Sequence, residues 1–253
     1  MASLLPIVTE AGEVARRYFR NVPAERKADR TLVTAADRAV EELIVARLLG
    51  GVPEARILGE EFGVAGRDDA PYTITLDPID GTAAFVSGLP TWCVTLGVVS
   101  EGRAVGGITY LPMTGETYVA ERGTATWNGH VIPPGPRPQP EGDRFIVANS
   151  EYHRGKLLRF RGKIRSLGST AYHMALVARG AAAAALLGRP RIWDIAAGAA
   201  LLDAIGGELC CRSGARLDLA PLLAGERAPE GLVATAPGMR DEILALVREA
   251  DAS

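Results

Sequence analysis

Residues 72–82 read Tyr-Thr-Ile-Thr-Leu-Asp-Pro-Ile-Asp-Gly-Thr, an apolar run that passes directly into an acidic turn. The run from Tyr72 to Leu76 predicts a buried strand, and Asp77 and Asp80 follow at its end. Carboxylates this close repel one another unless a cation lies between them, and hard oxygen ligands suit Mg²⁺. The stretch therefore favours a metal site at the end of a strand. Its structural alternative is an Asp-Pro and Asp-Gly turn with solvated acids.

The composition is that of a folded chain with a sizeable core. The 253 residues are 47% hydrophobic, which suits one large domain or two small ones. A net charge of −2 gives no electrostatic case for binding nucleic acid or an anionic membrane. No apolar run has transmembrane length, and charged residues from Glu10 to Arg17 interrupt any signal-peptide pattern, so we expect a cytoplasmic protein. Cys93, Cys210 and Cys211 are predicted to be buried thiols rather than a disulfide framework.

The first part of the chain combines helices with a series of strands. Apolar residues recur at three and four positions over residues 3–20, which predicts a helix. Thr34 and Asp37 form a capping-box-like pair at the start of a second helix, which ends at Gly50-Gly51. Turn residues separate the last three of five predicted strands and indicate an antiparallel meander. The five strands are Arg56–Leu58, Tyr72–Leu76, Trp92–Val99, Ala104–Tyr110 and Glu116–Ala120.

Five prolines between residues 130 and 142 mark the main boundary of the chain. Because no helix or central strand tolerates them, we predict a linker or surface loop over residues 131–142. It separates an N-terminal α+β half, residues 1–130, from a C-terminal α/β half, residues 143–253. In the second half, the segment Ala181–Leu187 fits either a helix or a small-residue buried strand. The other elements predicted there are strands over Phe145–Ala148 and Ile164–Leu167, a helix from its cap at Ser169 to Arg179, and a helix over Trp193–Ile205.

Three acidic signals lie at the ends or starts of predicted elements. Glu60 and Glu61 follow one strand, Asp77 and Asp80 follow another, and Asp194 lies in the first turn of the late helix. Each has a structural alternative, namely an exposed turn for the glutamates and an N-cap for Asp194. Together they place several carboxylates from different loops beside helix N-termini, which attract anions. This combination favours a multi-metal phosphate site.

The ordered set of motifs resembles that of the inositol monophosphatase family. The matching segments are Gly59-Glu60-Glu61, Asp77-Pro-Ile-Asp80-Gly-Thr82 and Trp193-Asp194-Ile-Ala-Ala-Gly198. Leu32–Asp37 is similar to the family's N-terminal signature, and Gly168–Ala171 to its substrate-side turn. These motifs keep the family's order from residue 32 to residue 207, so the resemblance covers nearly the whole chain.

The resemblance implies the architecture as well as the site. We expect a fold of class α+β / α/β, a layered αβαβα sandwich with an antiparallel sheet in its N-terminal half and an α/β C-terminal half. The active site would lie in the cleft between the halves, where strand ends and helix N-termini meet. The resemblance also implies a homodimer and sensitivity to Li⁺.

The activity that the resemblance implies is Mg²⁺-dependent hydrolysis of a phosphate monoester. Glu60, Asp77 and the backbone carbonyl of Ile79 would hold a first ion. Asp77, Asp80 and Asp194 would hold a second, and a weaker third ion would share Glu60. The metals would polarise the phosphate, activate a water and neutralise the leaving alkoxide.

The remaining catalytic roles would belong to groups beside the metals. Thr82, hydrogen-bonded to Asp37, would orient the attacking water together with Glu60. The N–H groups of Gly81 and Thr82, at a helix start, would bind the phosphate. Because no histidine or cysteine is among these residues, direct attack by water is favoured over a phosphoenzyme.

The identity of the substrate's alcohol is a separate question, because the residues at two positions differ from those of the inositol-preferring family members. Leu187 lies where they carry a glutamate, and leucine cannot accept a hydrogen bond from a polyol. Ala84 lies where they usually carry asparagine, and the run Ala84–Trp92 is more similar to the histidinol-phosphate phosphatase branch. Inositol 1-phosphate is the first expected substrate, with histidinol phosphate or a fructose-1,6-bisphosphatase-like activity as alternatives. The implied substrate-binding residues are Asp80, Gly81, Thr82, Ser169, Thr170, Leu187 and Asp194.

Two rival interpretations belong to other classes of protein. A non-enzymatic metal-binding protein on the same scaffold would require a missing ligand or a missing water-positioning group, and none is missing. A glycosidase with a carboxylate pair would not explain the Gly81-Thr82 step or Asp194.

Overall fold

The computed structural model describes residues 1–28, 31–135, 144–152 and 160–251. The helices in these ranges are α1 (Leu5–Tyr18), α2 (Ala35–Gly51), α3 (Thr82–Val86), α4 (Thr170–Ala178), α5 (Ile192–Ile205) and α6 (Arg240–Asp251), with a 3-10 helix at Pro221–Ala224. The strands up to the proline-rich segment are β1 (Ala24–Arg26), β2 (Leu32–Thr34), β3 (Arg56–Gly59), β4 (Gly63–Gly66), β5 (Thr73–Asp80), β6 (Cys93–Ser100), β7 (Arg103–Leu111), β8 (Glu116–Glu121), β9 (Thr124–Trp127) and β10 (His130–Ile132). The later strands are β11 (Phe145–Ala148), β12 (Lys163–Arg165), β13 (Ala184–Leu187), β14 (Glu208–Cys211) and β15 (Leu232–Thr235).

The larger sheet contains eight strands in the order β10-β9-β8-β7-β6-β5-β3-β4. Strands β3 and β5 are parallel, and the other neighbours run antiparallel. The antiparallel meander predicted from the turn residues is therefore confirmed over β6, β7 and β8. Strands β1 and β2 form a separate two-stranded hairpin.

The smaller sheet contains five strands in the order β12-β11-β13-β15-β14. Strand β11 runs parallel to β12 and β13, whereas β15 runs antiparallel to β13 and β14. Helices α1 and α2 pack on one face of the larger sheet, α4 and α5 lie between the two sheets, and α6 packs beyond the smaller sheet. The expected αβαβα sandwich is confirmed.

Local sequence signals account for the helix starts near the cleft. The Thr34 hydroxyl accepts from the N–H of Ala36, and the Asp37 carboxylate accepts from the N–H of Thr34, so the predicted capping box is present. The Ser169 hydroxyl accepts from the N–H of Tyr172 and caps α4, as predicted.

Two glycines allow α5 to lie directly against the larger sheet. Gly97 on β6 is paired with Gly107 on β7. A Cβ on Gly97 would lie 2.4 Å from Ala196 Cβ, and one on Gly107 would lie 2.4 Å from Ala197 Cα. Such distances are impossible for carbon atoms, so the close approach requires glycine on the sheet. The contact brings the first turn of α5, and with it Asp194, to the end of β5.

Several predicted boundaries differ from the structure. Strand β5 continues to Asp80, so Asp77 and Asp80 lie within the strand rather than beyond it, because the chain resumes pairing with β6 after Asp77. The ambiguous segment Ala181–Leu187 is a strand over its last four residues, and the strand predicted at Ile164–Leu167 is β12. Residues 131 and 132 complete the edge strand β10, which ends before the first proline.

Other predictions have mixed outcomes. The three cysteines are buried free thiols, as predicted. Strands β14 and β15 and helix α6 carried no sequence prediction. Residues 136–142 of the predicted proline-rich loop lie outside the described residues, and the division into two halves stays a prediction. Among the described helices, none combines the length and hydropathy that a membrane span needs, and the cytoplasmic location stays a prediction.

Candidate active site

A β-bulge turns Asp77 and Asp80 toward one side of the larger sheet. Residues three apart on a regular strand point to opposite faces. Asp77 is paired with Thr95 and Asp80 with Cys93, so three steps along β5 oppose two along β6. The extra residue reverses the alternation, and Pro78 within the bulge has no N–H to leave unpaired. Both carboxylates can therefore contribute to the same site.

Asp194 adds a third carboxylate from the first turn of α5. One oxygen from each of Asp77, Asp80 and Asp194 lies within 4.8 Å of the other two. Asp194 Oδ2 also accepts the N–H of Arg191 at 2.7 Å, so the residue caps the helix and faces the cluster at the same time. Arg191 is the N-cap of α5 and Asp194 lies at N3, so the structural alternative of Asp194 as the N-cap is wrong, and its role as a metal ligand stays a prediction.

The pKa values of this cluster are raised because its charges are buried together. Burial raises the pKa of Asp194 to about 8, and the charges of Asp80 and Glu60 add to the effect. Burial, with the same kind of repulsion from Glu60 and Asp80, raises the pKa of Asp77 well above its ordinary value. Burial raises the pKa of Asp80 to about 6, although hydrogen bonds oppose the shift. A divalent cation would relieve this repulsion, and the oxygen donors present fit Mg²⁺.

Asp80 is held by the N-terminal turn of α4. Its Oδ2 accepts from the Ser169 hydroxyl and from the N–H of Ala171 at 2.7 Å, and its Oδ1 accepts from the N–H of Thr170 at 3.2 Å. Because the Ser169 hydroxyl also caps α4, one side chain fixes both the helix start and the carboxylate. Ser169 is fully buried, so its contact is with Asp80 rather than with the cleft.

The predicted pair of Thr82 and Asp37 is present. Thr82 is the first residue of α3, and its Oγ1 lies 3.2 Å from Asp37 Oδ1 and 3.1 Å from the carbonyl oxygen of Ile79. Asp37 is buried, and its Oδ2 accepts both the N–H and the hydroxyl of Thr34 at 2.7 Å. The capping box of α2 therefore aims the second oxygen of Asp37 at Thr82.

Lys27 is a site residue that the sequence analysis missed. It follows β1, and its Nζ lies 2.8 Å from Glu60 Oε1 and 2.5 Å from Glu61 Oε1. Burial opposes its charge, but the two glutamates raise the pKa of Lys27 overall. Burial raises the pKa of Glu61 to about 7, although the charge of Lys27 acts in the opposite direction. The available signal was rarity, since only three lysines occur in the chain.

Glu41 is a second residue that the sequence did not reveal. It is fully buried on α2, and it accepts the N–H groups of Glu61 and Phe62 at 3.0 and 2.8 Å. Its carboxylate therefore fixes the turn that carries Glu60 into the site.

These residues surround a cleft with a volume of about 410 Å³. Segments from both sides of the predicted chain boundary form its wall, as expected for a site between the halves. Asp37 lies behind this wall. The site residues that line the cleft are Glu60, Asp77, Ile79, Asp80, Gly81, Thr82, Thr170 and Asp194, together with Arg26, Arg191 and Arg227.

The two positions discussed for substrate choice lie elsewhere. Leu187 is buried at the end of β13 and lines a separate cavity of about 350 Å³ beside Asn149. Ala84 is buried beneath Gly168, where a Cβ added to the glycine would lie 3.0 Å from Ala84 Cβ, while Ala83 lines the cleft. Contact of Leu187 with substrate stays a prediction.

Comparisons with known proteins identify the family of this chain. The inositol monophosphatase family model matches residues 2–251. The chain belongs to this family. It is 32% identical over 241 residues to the inositol-1-monophosphatase ImpA of Mycolicibacterium smegmatis, covering 89% of this chain and 83% of the relative. It is 33% identical over 218 residues to a histidinol-phosphatase of Chlorobaculum parvum, covering 82% and 83%.

A solved structure shows the same fold. The extragenic suppressor protein suhB from Bartonella henselae superposes with a TM-score of 0.85 at 25% identity, covering 98% of both chains. Family membership makes this protein a phosphatase, which removes the non-enzymatic and glycosidase interpretations. The names of its relatives differ in substrate, so membership alone does not choose the alcohol.

Proposed function

We propose that this inositol monophosphatase family member hydrolyses a phosphate monoester of a small polar alcohol in a Mg²⁺-dependent reaction. The observation that carries the proposal is the group of three carboxylates, Asp77, Asp80 and Asp194, whose oxygens lie within 4.8 Å of one another. The Thr82–Asp37 hydrogen bond beside it supplies a group that can direct a water. A cleft of about 410 Å³ leaves room for a compact alcohol.

Two or three Mg²⁺ ions would be held by this chain's own oxygens. Glu60, Asp77 and the Ile79 carbonyl would form one site, and Asp77, Asp80 and Asp194 would form another, with a third ion sharing Glu60. Bound there, the metal would supply Lewis-acid stabilisation of phosphate oxygens and a nucleophilic water. Lys27 Nζ lies 2.8 Å from Glu60 Oε1 and restrains this carboxylate.

Thr82 and Asp37 position the attacking water. The buried Asp37 carboxylate accepts a hydrogen bond from the Thr82 hydroxyl, so the lone pairs of Oγ1 are directed away from Asp37. A water that donates to those lone pairs would be oriented for attack, with Glu60 as its second partner. The N–H groups of Gly81 and Thr82 at the start of α3 would bind a phosphate oxygen, because helix-terminal N–H groups have no intrahelical acceptor.

The first substrate to test is inositol 1-phosphate. The ImpA relative supports this choice. Thr170, in the first turn of α4, also places a hydroxyl on the cleft wall. Histidinol phosphate is the second candidate, supported by the Chlorobaculum parvum relative and by the similarity of the run Ala84–Trp92 to the histidinol-phosphate phosphatase branch. A fructose-1,6-bisphosphatase-like activity is the third.

A panel of esters under metal control tests the proposal. Purified protein would be stripped with chelator and assayed for phosphate release from these three substrates, with and without Mg²⁺. We expect hydrolysis only when Mg²⁺ is restored and inhibition by Li⁺. Full activity after chelation would contradict the metal mechanism. We also propose a homodimer, and light scattering during gel filtration would give the mass directly.

A further inference from the structure

A loop at the wall of the cleft holds one of the proposed metal ligands. Residues 166–169, which we call the entry loop, join β12 to α4 and belong to no helix or strand. Ser169, the last of them, donates a hydrogen bond from its hydroxyl to Asp80. Resting on the proposed function, we propose that His173 and Thr91 are positioning residues, which clamp the entry loop so that Asp80 is held in place to bind Mg²⁺.

The clamp acts on both polar backbone groups of Leu167, in the middle of the entry loop. The N–H of Leu167 donates to His173 Nε2 at 3.0 Å, and its carbonyl oxygen accepts from the Thr91 hydroxyl at 2.5 Å. Because the loop lies outside the sheets and helices, these side chains take the place of the partners that a regular element would supply. Thr91 lies between α3 and β6, and His173 lies within α4, so the loop is tied both to the segment after α3 and to α4.

His173 is suited to accept this hydrogen bond. It is only 2% exposed, so water has little access to its ring nitrogens. An imidazole that accepts at Nε2 carries its proton at Nδ1 and is neutral. Burial lowers the pKa of His173 to about 4, which keeps the acceptor available at neutral pH. A leucine of similar size at this position would leave the N–H of Leu167 without its acceptor.

Three donors to Asp80 come from the residues that follow Leu167 in the chain. The Asp80 carboxylate accepts from the Ser169 hydroxyl and from the N–H groups of Thr170 and Ala171. Fixing the Leu167 backbone therefore fixes the direction in which these donors point. Donors of this kind favour the ionised carboxylate, which is the form that binds a cation.

The entry loop also packs without a gap against the start of α3. A Cβ on Gly81 would lie 3.0 Å from the carbonyl oxygen of Gly168 and 3.2 Å from Ser169 Cβ. Contacts this tight transmit a displacement of the loop to the Gly81-Thr82 turn, whose N–H groups are proposed to bind the phosphate. Loosening the clamp would therefore weaken the site for Mg²⁺ and for the phosphate together.

Substitutions that keep or remove the two hydrogen bonds test the clamp. H173L removes the acceptor and T91V removes the donor, whereas H173Q and T91S keep them. T9V is the matched control, because the Thr9 hydroxyl also donates to a backbone carbonyl, that of Leu5 within α1, away from the cleft.

Two measurements are made on each protein. Calorimetric titration of chelator-stripped protein gives the Mg²⁺ affinity without any substrate, and phosphate release from the best ester of the panel gives kcat, KM and the Mg²⁺ requirement. We expect H173L and T91V to weaken Mg²⁺ binding about 10- to 100-fold and to raise KM. H173Q, T91S and T9V should stay close to the parent.

The unfolding temperature in chelator separates positioning from structural support. A role in stability alone would lower that temperature in H173L and T91V and leave the Mg²⁺ affinity unchanged, which would overturn the inference. Equal loss of Mg²⁺ affinity in H173L and H173Q would overturn it too, because the acceptor would then not be the cause. T91V and T91S carry the test if H173L does not fold, because Thr91 is only half-buried.

Failure of the proposed function gives a different pattern. A parent protein that binds Mg²⁺ and hydrolyses none of the esters would overturn the phosphatase mechanism, while the calorimetric comparison would still decide whether the clamp holds Asp80. Hydrolysis by the parent, together with unchanged Mg²⁺ binding in H173L and T91V, would overturn the clamp alone. Absence of Mg²⁺ binding by the parent would overturn both.

Discussion

Thr82 begins α3 and Asp37 lies in the first turn of α2, 45 residues earlier, yet Thr82 Oγ1 lies 3.2 Å from Asp37 Oδ1. The other oxygen of Asp37 is used in the capping box of α2. A helix cap thus serves as the rigid support of a hydroxyl at the cleft. The arrangement links a local folding signal to the orientation of a water in the proposed reaction.

Replacing Thr82 by alanine should lower kcat about 100-fold with a small change in KM, because the water would lose an orienting partner that acts mainly in the transition state. T82S keeps the hydroxyl and should recover activity to within about tenfold of the parent. T9A is the control, since the Thr9 hydroxyl donates to Leu5 within α1, away from the site. Equal activity of T82A and the parent would remove Thr82 from the mechanism.

Replacing Asp77 by asparagine should separate metal binding from folding. The substitution removes one charge from a repelling cluster, so in chelator D77N should unfold at the same temperature as the parent or higher. Mg²⁺ should raise the unfolding temperature of the parent and have little effect on D77N. Turnover should fall more than about 1000-fold, because the metals contribute several kcal/mol.

The control for D77N is D203N, which changes an exposed aspartate on α5. It should keep both turnover and the Mg²⁺-dependent stabilisation. A D77N protein that is stabilised by Mg²⁺ as strongly as the parent would show that Asp77 is not a ligand.

Replacing Gly107 by alanine should displace α5 from the larger sheet, because the new Cβ would lie 2.4 Å from Ala197 Cα. We expect a loss of about 1–3 kcal/mol in the free energy of unfolding from overpacking. Turnover should fall as well, because Asp194 moves with the helix. Urea unfolding and the ester assay measure the two effects.

Gly50 offers the same substitution without a clash. It lies in α2, and nothing is within 4 Å of a Cβ built there. G50A should stabilise the protein by up to about 1 kcal/mol, as expected for alanine in a helix, and leave turnover unchanged. If G107A behaved like G50A, the close approach of α5 would not be what places Asp194.

His173 should make stability depend on pH below neutrality. Burial lowers the pKa of His173 to about 4, and its Nε2 accepts the N–H of Leu167 at 3.0 Å. The unfolded chain has a histidine pKa of about 6.5, so it binds the proton first as pH falls. The contribution is complete above about pH 6.5 and is lost progressively toward pH 4, amounting to about 3 kcal/mol.

The comparison for His173 is H173Q, which can still offer an acceptor to Leu167 but does not titrate. Denaturant unfolding from pH 7.5 to pH 4.5 should show a steeper loss of stability in the parent than in H173Q. Parallel curves would mean that the pKa of His173 is the same in the folded and the unfolded state.

Much of the site could be predicted from the sequence because its motifs are local. The capping box at Thr34, the cap at Ser169 and the Asp77–Thr82 segment each depend on residues within a few positions. The meander followed from turn residues for the same reason. Strands β14 and β15 were missed because they are short and do not alternate between buried and exposed residues. Helix α6 was also missed, although Ile243, Leu244 and Val247 recur at helical spacing and are buried.

Lys27 and Glu41 could not be predicted, because each acts on a turn far away in the chain. Lys27 meets Glu60 across 33 residues, and Glu41 meets Glu61 across 20. Thr91 is a further case, since its hydrogen bond to Leu167 spans 76 residues.

The sequence by itself determined which carboxylates are candidates for the proposed reaction, because their spacing within short motifs is a local property of the chain. Only the tertiary structure decided how they meet. Asp77 and Asp80 would point to opposite faces of a regular strand, and pairing with β6 inserts the bulge that turns them together. Asp194 joins them because Gly97 and Gly107 let α5 lie against the sheet. Both effects depend on contacts between segments distant in sequence, which no single motif contains.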